Sequence, residues 1–276
     1  MKTMLSRIEL YGWPVNECGI ARVTSAHGDY YHIVCNEAEG ELVARKKKSA
    51  FLDPAVLKPT TGDFVRFRHN AQGESMITEV LPRKSWFERR DPTARRKSQV
   101  LAVNFDTLFI MMGMDLNFSM PRLERYLSLA GDTGDAEAVV VLTKADLAGD
   151  VGKWKAEHDA VFSTGAKTLA ISSKTQYGMD AVREYASPGK TLAFIGSSGV
   201  GKSSLLNALA GEEWMATQEI QEWSGKGRHT TTSRELVMLP NGAMAIDTPG
   251  IREIGMVGEM DEEFAKGAFS HRWRKK

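Results

Sequence analysis

Four short segments carry residue types whose spacing suits phosphate chemistry. Gly196-Ser197-Ser198-Gly199-Val200-Gly201-Lys202-Ser203 has a glycine, four intervening residues, then Gly-Lys-Ser. Glycines at that spacing let successive backbone N–H groups turn inward around phosphate oxygens. A helix starting at Lys202 would add the partial positive charge of its N-terminus. Lys202 is placed to reach the β- and γ-phosphates, and the Ser203 hydroxyl to ligate Mg²⁺. Ser204 completes the nucleotide-binding stretch.

A phosphate loop alone does not choose a base. Thr143-Lys144-Ala145-Asp146 follows the β-branched run Ala138–Leu142. A carboxylate at Asp146 can accept hydrogen bonds from the N1–H and the 2-amino group of guanine, a pair that adenine does not offer. The stem of Lys144 can lie over the base. Threonine stands first where asparagine is commoner, so one amide contact is either lost or remade by the hydroxyl. Ile171-Ser172-Ser173-Lys174 then reads as a short clamp beside the base, formed by Ser172, Ser173 and Lys174.

Asp247-Thr248-Pro249-Gly250 follows the apolar run Ala243–Ile246. Asp247 is expected to hold Mg²⁺ through water, and the Gly250 N–H to sense the γ-phosphate. Thr230 or Thr231, in Gly227-Arg228-His229-Thr230-Thr231-Thr232, would complete the Mg²⁺ shell. Segments of this kind act as switches that order on the γ-phosphate and relax after hydrolysis. Ile251 stands just beyond Gly250, where sites of this type often carry a water-orienting glutamine. Isoleucine cannot orient water, so intrinsic hydrolysis should be slow. His229 is the candidate for that role, unless it only packs its loop. The remaining histidines show no metal-ligand spacing.

Positioning these groups needs strands that deliver loops to one edge of a sheet. From residue 99 onward, strand and helix patterns alternate: an apolar strand within Val100–Met112, a helix Pro121–Ala130, a strand Ala138–Leu142, a helix Trp154–Phe162 and a strand Thr168–Ile171. A strand Thr191–Ile195, a helix Lys202–Ala210 and strands Arg234–Leu239 and Ala243–Ile246 follow. That alternation predicts an α/β unit, a mostly parallel sheet with helices on both faces. Residues 1–82 instead read as short strands, among them Gly19–Val23, Tyr30–Cys35 and Phe64–Arg68, separated by turns such as Gly28-Asp29 and Thr61-Gly62-Asp63. Close-spaced strands in so small a unit predict a barrel of the oligonucleotide-binding type.

Composition narrows the setting. The 276 residues carry 42% hydrophobic and 26% charged side chains with a net charge of +1, ordinary for a soluble protein with two cores. No apolar run reaches membrane-spanning length, and no export signal opens the chain, so a cytoplasmic protein without a membrane partner is expected. Cys18 and Cys35 are its only cysteines and fit a reducing compartment. The charge is unevenly spread: residues 83–98 contain Arg83, Lys84, Arg89, Arg90, Arg95, Arg96 and Lys97 against Glu88 and Asp91. Cations next to Trp86 and Phe87 suit RNA, through phosphate neutralisation and base stacking. Alternatively, the two rings pin the segment to a neighbouring domain. Lys46, Lys47 and Lys48 are either a second RNA contact or a solvated lysine loop.

The base-recognition element precedes the phosphate loop by some fifty residues, the reverse of the usual order. With that order, Gly196–Leu206, Gly227–Thr232, Asp247–Glu253 and the Ala-Val-Asn-Phe-Asp of Gln99–Ile110, the chain resembles the circularly permuted GTPases. More narrowly, it resembles the bacterial ribosome small-subunit-dependent GTPase A family, over roughly residues 10–262. The resemblance implies a GTP hydrolase, converting GTP to GDP, in late maturation of the small ribosomal subunit. Turnover would be stimulated by the subunit, with the barrel touching its rRNA, and the protein would act as a monomer. It implies four parts: a barrel over 1–82, a basic linker over 83–98, a permuted GTPase domain over 99–258 and a tail over 259–276.

Here the chain departs from the family, whose C-terminal domain binds zinc through three cysteines and a histidine. No cysteine follows Cys35, and His271 lacks such partners. The tail is therefore expected to lack the zinc site, as either a shortened natural version or the product of a truncated or frame-shifted reading frame; its basic, Trp273-containing end could still meet RNA. The permutation leads the second switch directly into this tail. The alternative function is a GTP-dependent RNA-binding module with little effective hydrolysis.

Overall fold

A computed structural model describes residues 7–14, 16–53, 56–89, 99–116, 118–148, 151–211 and 235–247. After a single helical turn, α1 (Arg7–Leu10), five strands follow: β1 (Ile20–His27), β2 (Tyr30–Cys35), β3 (Leu42–Lys46), β4 (Phe64–Arg68) and β5 (Ser75–Val80). Their order is β1-β2-β3-β5-β4, and β4 pairs back onto β1, which closes a five-stranded barrel. Alternation drives closure: in β4, Phe64, Val65 and Phe67 are buried while Arg66 and Arg68 face water. Ala21, Val23, Ile33, Cys35, Ala44, Val65, Phe67 and Ile77 fill the interior. The expected barrel is present. The sequence reading missed β3 and β5, which join in parallel through Ala44↔Ser75.

The basic segment holds an element that was not expected. β6 (Trp86–Arg89) pairs antiparallel with β7 (Gln99–Val103). The apolar stretch read as one strand within Val100–Met112 is thus two, β7 and β8 (Thr107–Gly113), separated by a turn in which Asn104 has φ 52°. Phe87 is buried in the same core as Leu101, Phe105 and Leu108. Of the two readings for Trp86 and Phe87, the pin is the one realised for Phe87; Trp86 is half-buried.

Beyond β8 come α2 (Met120–Leu129), β9 (Glu137–Thr143), α3 (Val151–Phe162), β10 (Thr168–Ala170), α4 (Met179–Arg183), β11 (Thr191–Gly196), α5 (Lys202–Ala210), β12 (Glu235–Met238) and β13 (Met244–Asp247). Strands β10-β9-β8-β11-β13 run parallel, and β12 closes this row antiparallel to β13. Every residue of β8 is buried, as a strand covered on both faces must be. Side chains alternate between two cores. Ile110, Met112, Val140, Leu142, Ala193 and Ile195 join Leu123 and Leu127 of α2. Phe109, Met111, Val139, Val141 and Phe194 join Met179 of α4 and Leu205 and Leu206 of α5.

The chain lays down β8, β9 and β10 outward to one edge, then returns to place β11 beside β8 and moves the other way to β13. In open sheets of this kind, ligands sit at the carboxyl ends of the strands where the order reverses. That crevice lies between the ends of β8 and β11. The barrel is not a separate bead: β1 pairs with β12 through Ser25↔Glu235, so one eleven-stranded sheet runs through both units. Arg22 of β1, 1% exposed, donates to the Asn104 carbonyl at 2.8 Å and to the Tyr11 carbonyl at 2.5 Å, and lies 3.4 Å from the Met244 sulfur. Burial lowers its pKa to about 10, opposed by the charges of Asp106 and Asp63.

Candidate nucleotide site at the sheet crossover

The Gly196–Ser203 loop lies where its spacing predicted, between β11 and α5. Gly201 caps α5 with φ 102°, a conformation that only glycine adopts without strain. The first bond of the helix runs from Leu205 N to the Gly201 carbonyl at 2.9 Å. First-turn N–H groups have no intrahelical acceptor, which makes this helix end suited to anions. Val200 anchors the loop, with its side chain buried against Leu205 and Leu206. Ser198, Gly199, Ser203 and Ser204 are exposed, while Gly196, Ser197 and Lys202 are half-buried.

Thr143 ends β9, two strands away from β11. Its buried hydroxyl donates to the Val200 carbonyl at 2.6 Å. The threonine therefore ties the Thr143–Asp146 segment to the Gly196–Ser203 loop, a bond from side chain to backbone across 57 positions of sequence. Met114 N donates to the Thr143 carbonyl at 2.8 Å, which holds the β8 exit against the same point.

Lys144 adopts the left-handed conformation, φ 60° and ψ 35°, unusual for a residue with a side chain. That turn directs the chain away from the strand and into a short 3-10 turn over Ala145–Leu147. The Lys144 ammonium lies 2.7 Å from Asp115 Oδ2. Ala145 N donates to the Ile171 carbonyl at 3.0 Å, joining the element to the 171–174 clamp. Ser172 is fully buried, and its hydroxyl donates to Asp146 Oδ1 at 2.6 Å while accepting from Thr175 N at 3.1 Å. Ser172, read from sequence as part of the clamp, thus orients the carboxylate. Asp146 itself is exposed, as is Lys174, and Ser173 is half-buried.

Asp247 is the last residue of β13, and its backbone is aligned with Glu235 of β12. Because β13 runs parallel to β11 through Ala193↔Ile246, its carboxyl end points to the phosphate-loop edge. His229, Thr230, Thr231 and Gly250 lie outside the described residues, as do Ile251 and the 259–276 tail. Among the described residues no group of three or more His, Cys, Asp or Glu could hold a metal ion.

The RNA-contact candidates differ in their surroundings. Arg83 makes a bidentate pair with Asp63, Nε to Oδ1 and Nη2 to Oδ2 both at 2.8 Å, with the side chains 10% and 0% exposed. It also donates to the Lys58 carbonyl at 3.2 Å. Lys46 ends β3 rather than sitting in a loop, and its ammonium is 2.9 Å from Asp29. Lys48 and Lys84 are exposed and Lys47 is half-buried. Arg89 ends β6, and Arg90, Arg95, Arg96 and Lys97 lie outside the described residues. A cleft of about 690 Å³ opens elsewhere, lined by Trp13, Arg22, Asp106 and Lys190. Thr107 and Thr191, at the starts of β8 and β11, put it at the opposite edge of the sheet from the phosphate loop.

Comparison with known proteins agrees with this geometry. Residues 80–257 match the sequence profile of the RsgA GTPase family. The small ribosomal subunit biogenesis GTPase RsgA 2 of Lactiplantibacillus plantarum is 40% identical over 250 residues, 90% of this chain and 70% of that protein. RsgA 1 of Listeria innocua is 41% identical over 237 residues, 85% of this chain and 65% of that protein. The chain therefore spans about two thirds of the length of these relatives. Among solved structures, YjeQ from Thermotoga maritima superposes with a TM-score of 0.61 at 25% identity, covering 84% of this chain and 74% of that one. YloQ, described as a circularly permuted GTPase, gives 0.56 at 21% identity, covering 86% and 73%. The Thr143–Asp146 and Gly196–Ser203 segments, joined at one crossover in rotated order, together with these likenesses, place the chain in the RsgA GTPase family.

Proposed function

We propose that this chain binds GTP between the Thr143–Asp146 element and the Gly196–Ser204 loop and hydrolyses it in the service of small-ribosomal-subunit assembly. The observation that carries this reading is the bond from Thr143 to the Val200 carbonyl, which fixes the base-reading carboxylate relative to the phosphate cradle. Asp146, oriented by Ser172, accepts from the guanine edge; Lys202 and the loop amides hold the phosphates. Ser173 and Lys174 flank the base.

Mg²⁺ fits the donor set, since the Ser203 hydroxyl and the Asp247 carboxylate supply the oxygen ligands that this hard cation takes. When bound, it would neutralise charge between the β- and γ-phosphates. Thr230 or Thr231 would join it from the first switch, Gly250 would contact the γ-phosphate, and His229 would orient the water. The relatives' names supply the assembly context: both are small ribosomal subunit biogenesis GTPases. The barrel and the basic segment meet rRNA, with Lys47, Lys48 and Lys84 the accessible cations among the described candidates. Lys46 and Arg83 are already engaged by carboxylates. The protein acts as a monomer in the cytoplasm; among the described residues no helix is long and apolar enough to cross a membrane.

Phosphate release from GTP, measured with and without purified small subunits, tests the proposal. Slow turnover that rises on adding subunits is expected, and turnover indifferent to them contradicts the assembly role. Ile251, in place of a water-orienting glutamine, favours a second reading, a GTP-dependent RNA-binding module. Tight GTP binding with salt-dependent RNA affinity, and no phosphate release with subunits present, would select it.

A further inference from the structure

The Lys144 ammonium is held from a direction that sequence motifs did not indicate. Asp115 follows β8 and precedes α2, in the connection that leaves the sheet beside the crossover crevice. Its carboxylate meets Lys144 Nζ at 2.7 Å, with side chains 18% and 28% exposed. Such a pair is shielded enough for its geometry to matter, unlike a fully solvated one.

Two further features bring Asp115 to that point. Gly113, the last residue of β8, aligns with Thr143 in the parallel ladder. A Cβ on Gly113 would lie 3.1 Å from Asp115 Oδ1 and 3.4 Å from Oδ2, so the carboxylate folds back over the bare Cα. The Met114 N bond to the Thr143 carbonyl fixes the backbone between them. A lysine in a left-handed turn, with its ammonium anchored on the neighbouring strand's exit, has its stem stretched across the carboxyl ends of β8 and β9.

We infer that Asp115 is a positioning residue for guanine-nucleotide binding, acting through Lys144. By fixing the ammonium, it lays the lysine stem out as a preformed surface for the base, so that less side-chain freedom is lost on binding. It acts on the base through the lysine stem, and not on the phosphates. Its contribution is therefore uniform between GTP and GDP and between ground and transition states. This rests on the base-site reading proposed above.

The test is a double-mutant cycle on the full chain with Mg²⁺, reading the affinity of a fluorescent GDP and of GTP by competition. Asp115→Asn is expected to weaken both nucleotides by the same factor, about five- to tenfold, with KM raised and kcat unchanged. Asp115→Glu should restore most of the affinity. In a Lys144→Ala background, Asp115→Asn should cost nothing further, because the group it acts through is gone. Gly113→Ala, which displaces the carboxylate, should resemble Asp115→Asn. If Asp115→Asn leaves affinity intact while Lys144→Ala lowers it, or if the two losses add in full, the inference falls and the base site stands. If Lys144→Ala leaves affinity intact, the base-site reading falls, and the inference with it.

Discussion

The hydroxyl of Thr143 donates to the carbonyl of Val200 at 2.6 Å, and that bond makes one site of two motifs that the chain presents in rotated order. Thr143 closes β9 and Val200 lies in the loop after β11, with β8 between the two strands. Removing the hydroxyl in Thr143→Val leaves a carbonyl at the heart of the loop without its donor. The expected cost is about 1–3 kcal/mol, read as a loss of about fivefold to a hundredfold in both GTP and GDP affinity. Thr143→Ser should keep most of the affinity. Equilibrium titration of the three proteins with either nucleotide checks the ranking, and an unaltered valine variant would show that the bond does not shape the site.

Ser172 should control base preference without touching the phosphates. Its buried hydroxyl fixes Asp146 Oδ1 at 2.6 Å. Ser172→Ala frees the carboxylate to rotate, and GTP affinity should fall about three- to tenfold, in line with the net contribution of a typical hydrogen bond. Asp146→Asn should cost more, because an amide presents a donor to a guanine edge that itself donates. Neither change should alter the weak affinity for ATP. Competition experiments with ATP and GTP separate these outcomes, and an unchanged ATP/GTP preference in Asp146→Asn would refute the base assignment.

Arg83 is expected to matter for stability rather than for RNA. Its guanidinium satisfies both oxygens of Asp63, whose side chain is fully buried. Arg83→Met strands that carboxylate, at a cost of about 3–5 kcal/mol. Burial pushes the Asp63 carboxyl upward, with Arg83 pulling the other way. Without Arg83 only the Thr60 N–H and the Arg22 charge oppose the upward push, so the folded state binds the proton more tightly than the unfolded one. Stability of the variant should then be greatest in acid and decline as pH rises through the folded-state value. Urea midpoints at pH 5 and pH 7.5 give the sign. Lys48→Ala and Lys84→Ala, in contrast, should leave the midpoint unchanged and lower the salt dependence of RNA binding.

Cys35 lies inside the barrel, where burial pushes its thiol up to about 11. At pH 8 only about one thiol in a thousand would be ionised, so reaction with iodoacetamide should be negligible in the folded protein. Cys18 is exposed, and both cysteines are free. Mass spectrometry after brief alkylation should find one modified cysteine in the native state and two in denaturant. Rapid modification of Cys35 in the native protein would mean that the barrel opens.

Much of this site was legible because its chemistry lies in contiguous residues. Gly196–Ser203 and Thr143–Asp146 stand at the carboxyl ends of the buried strands β11 and β9, as the apolar runs before them predicted. Ser172 was expected in the clamp, whereas its bond to Asp146 was not, because the partner of a buried hydroxyl cannot be known before the fold brings Asp146 to it. Asp115 was missed altogether: an isolated aspartate after a strand carries no pattern of its own. The barrel was recognised from Tyr30–Cys35 and Phe64–Arg68, whereas β3, with Leu42 and Val43 beside Arg45 and Lys46, looked like a charged loop. The same mixed composition hid β6, where Phe87 enters the core within a run of cations. The Ser25↔Glu235 pairing that fuses barrel and sheet rests on backbone hydrogen bonds, which leave no trace in residue types.

Displacement of a bound fluorescent GDP from the full chain, by GTP and by ATP in the presence of Mg²⁺, tests most directly whether these rotated motifs form one guanine site. Displacement by GTP is expected at concentrations at least about a hundredfold below those needed with ATP, since adenine offers Asp146 no donor pair. Equal displacement by the two nucleotides would contradict it.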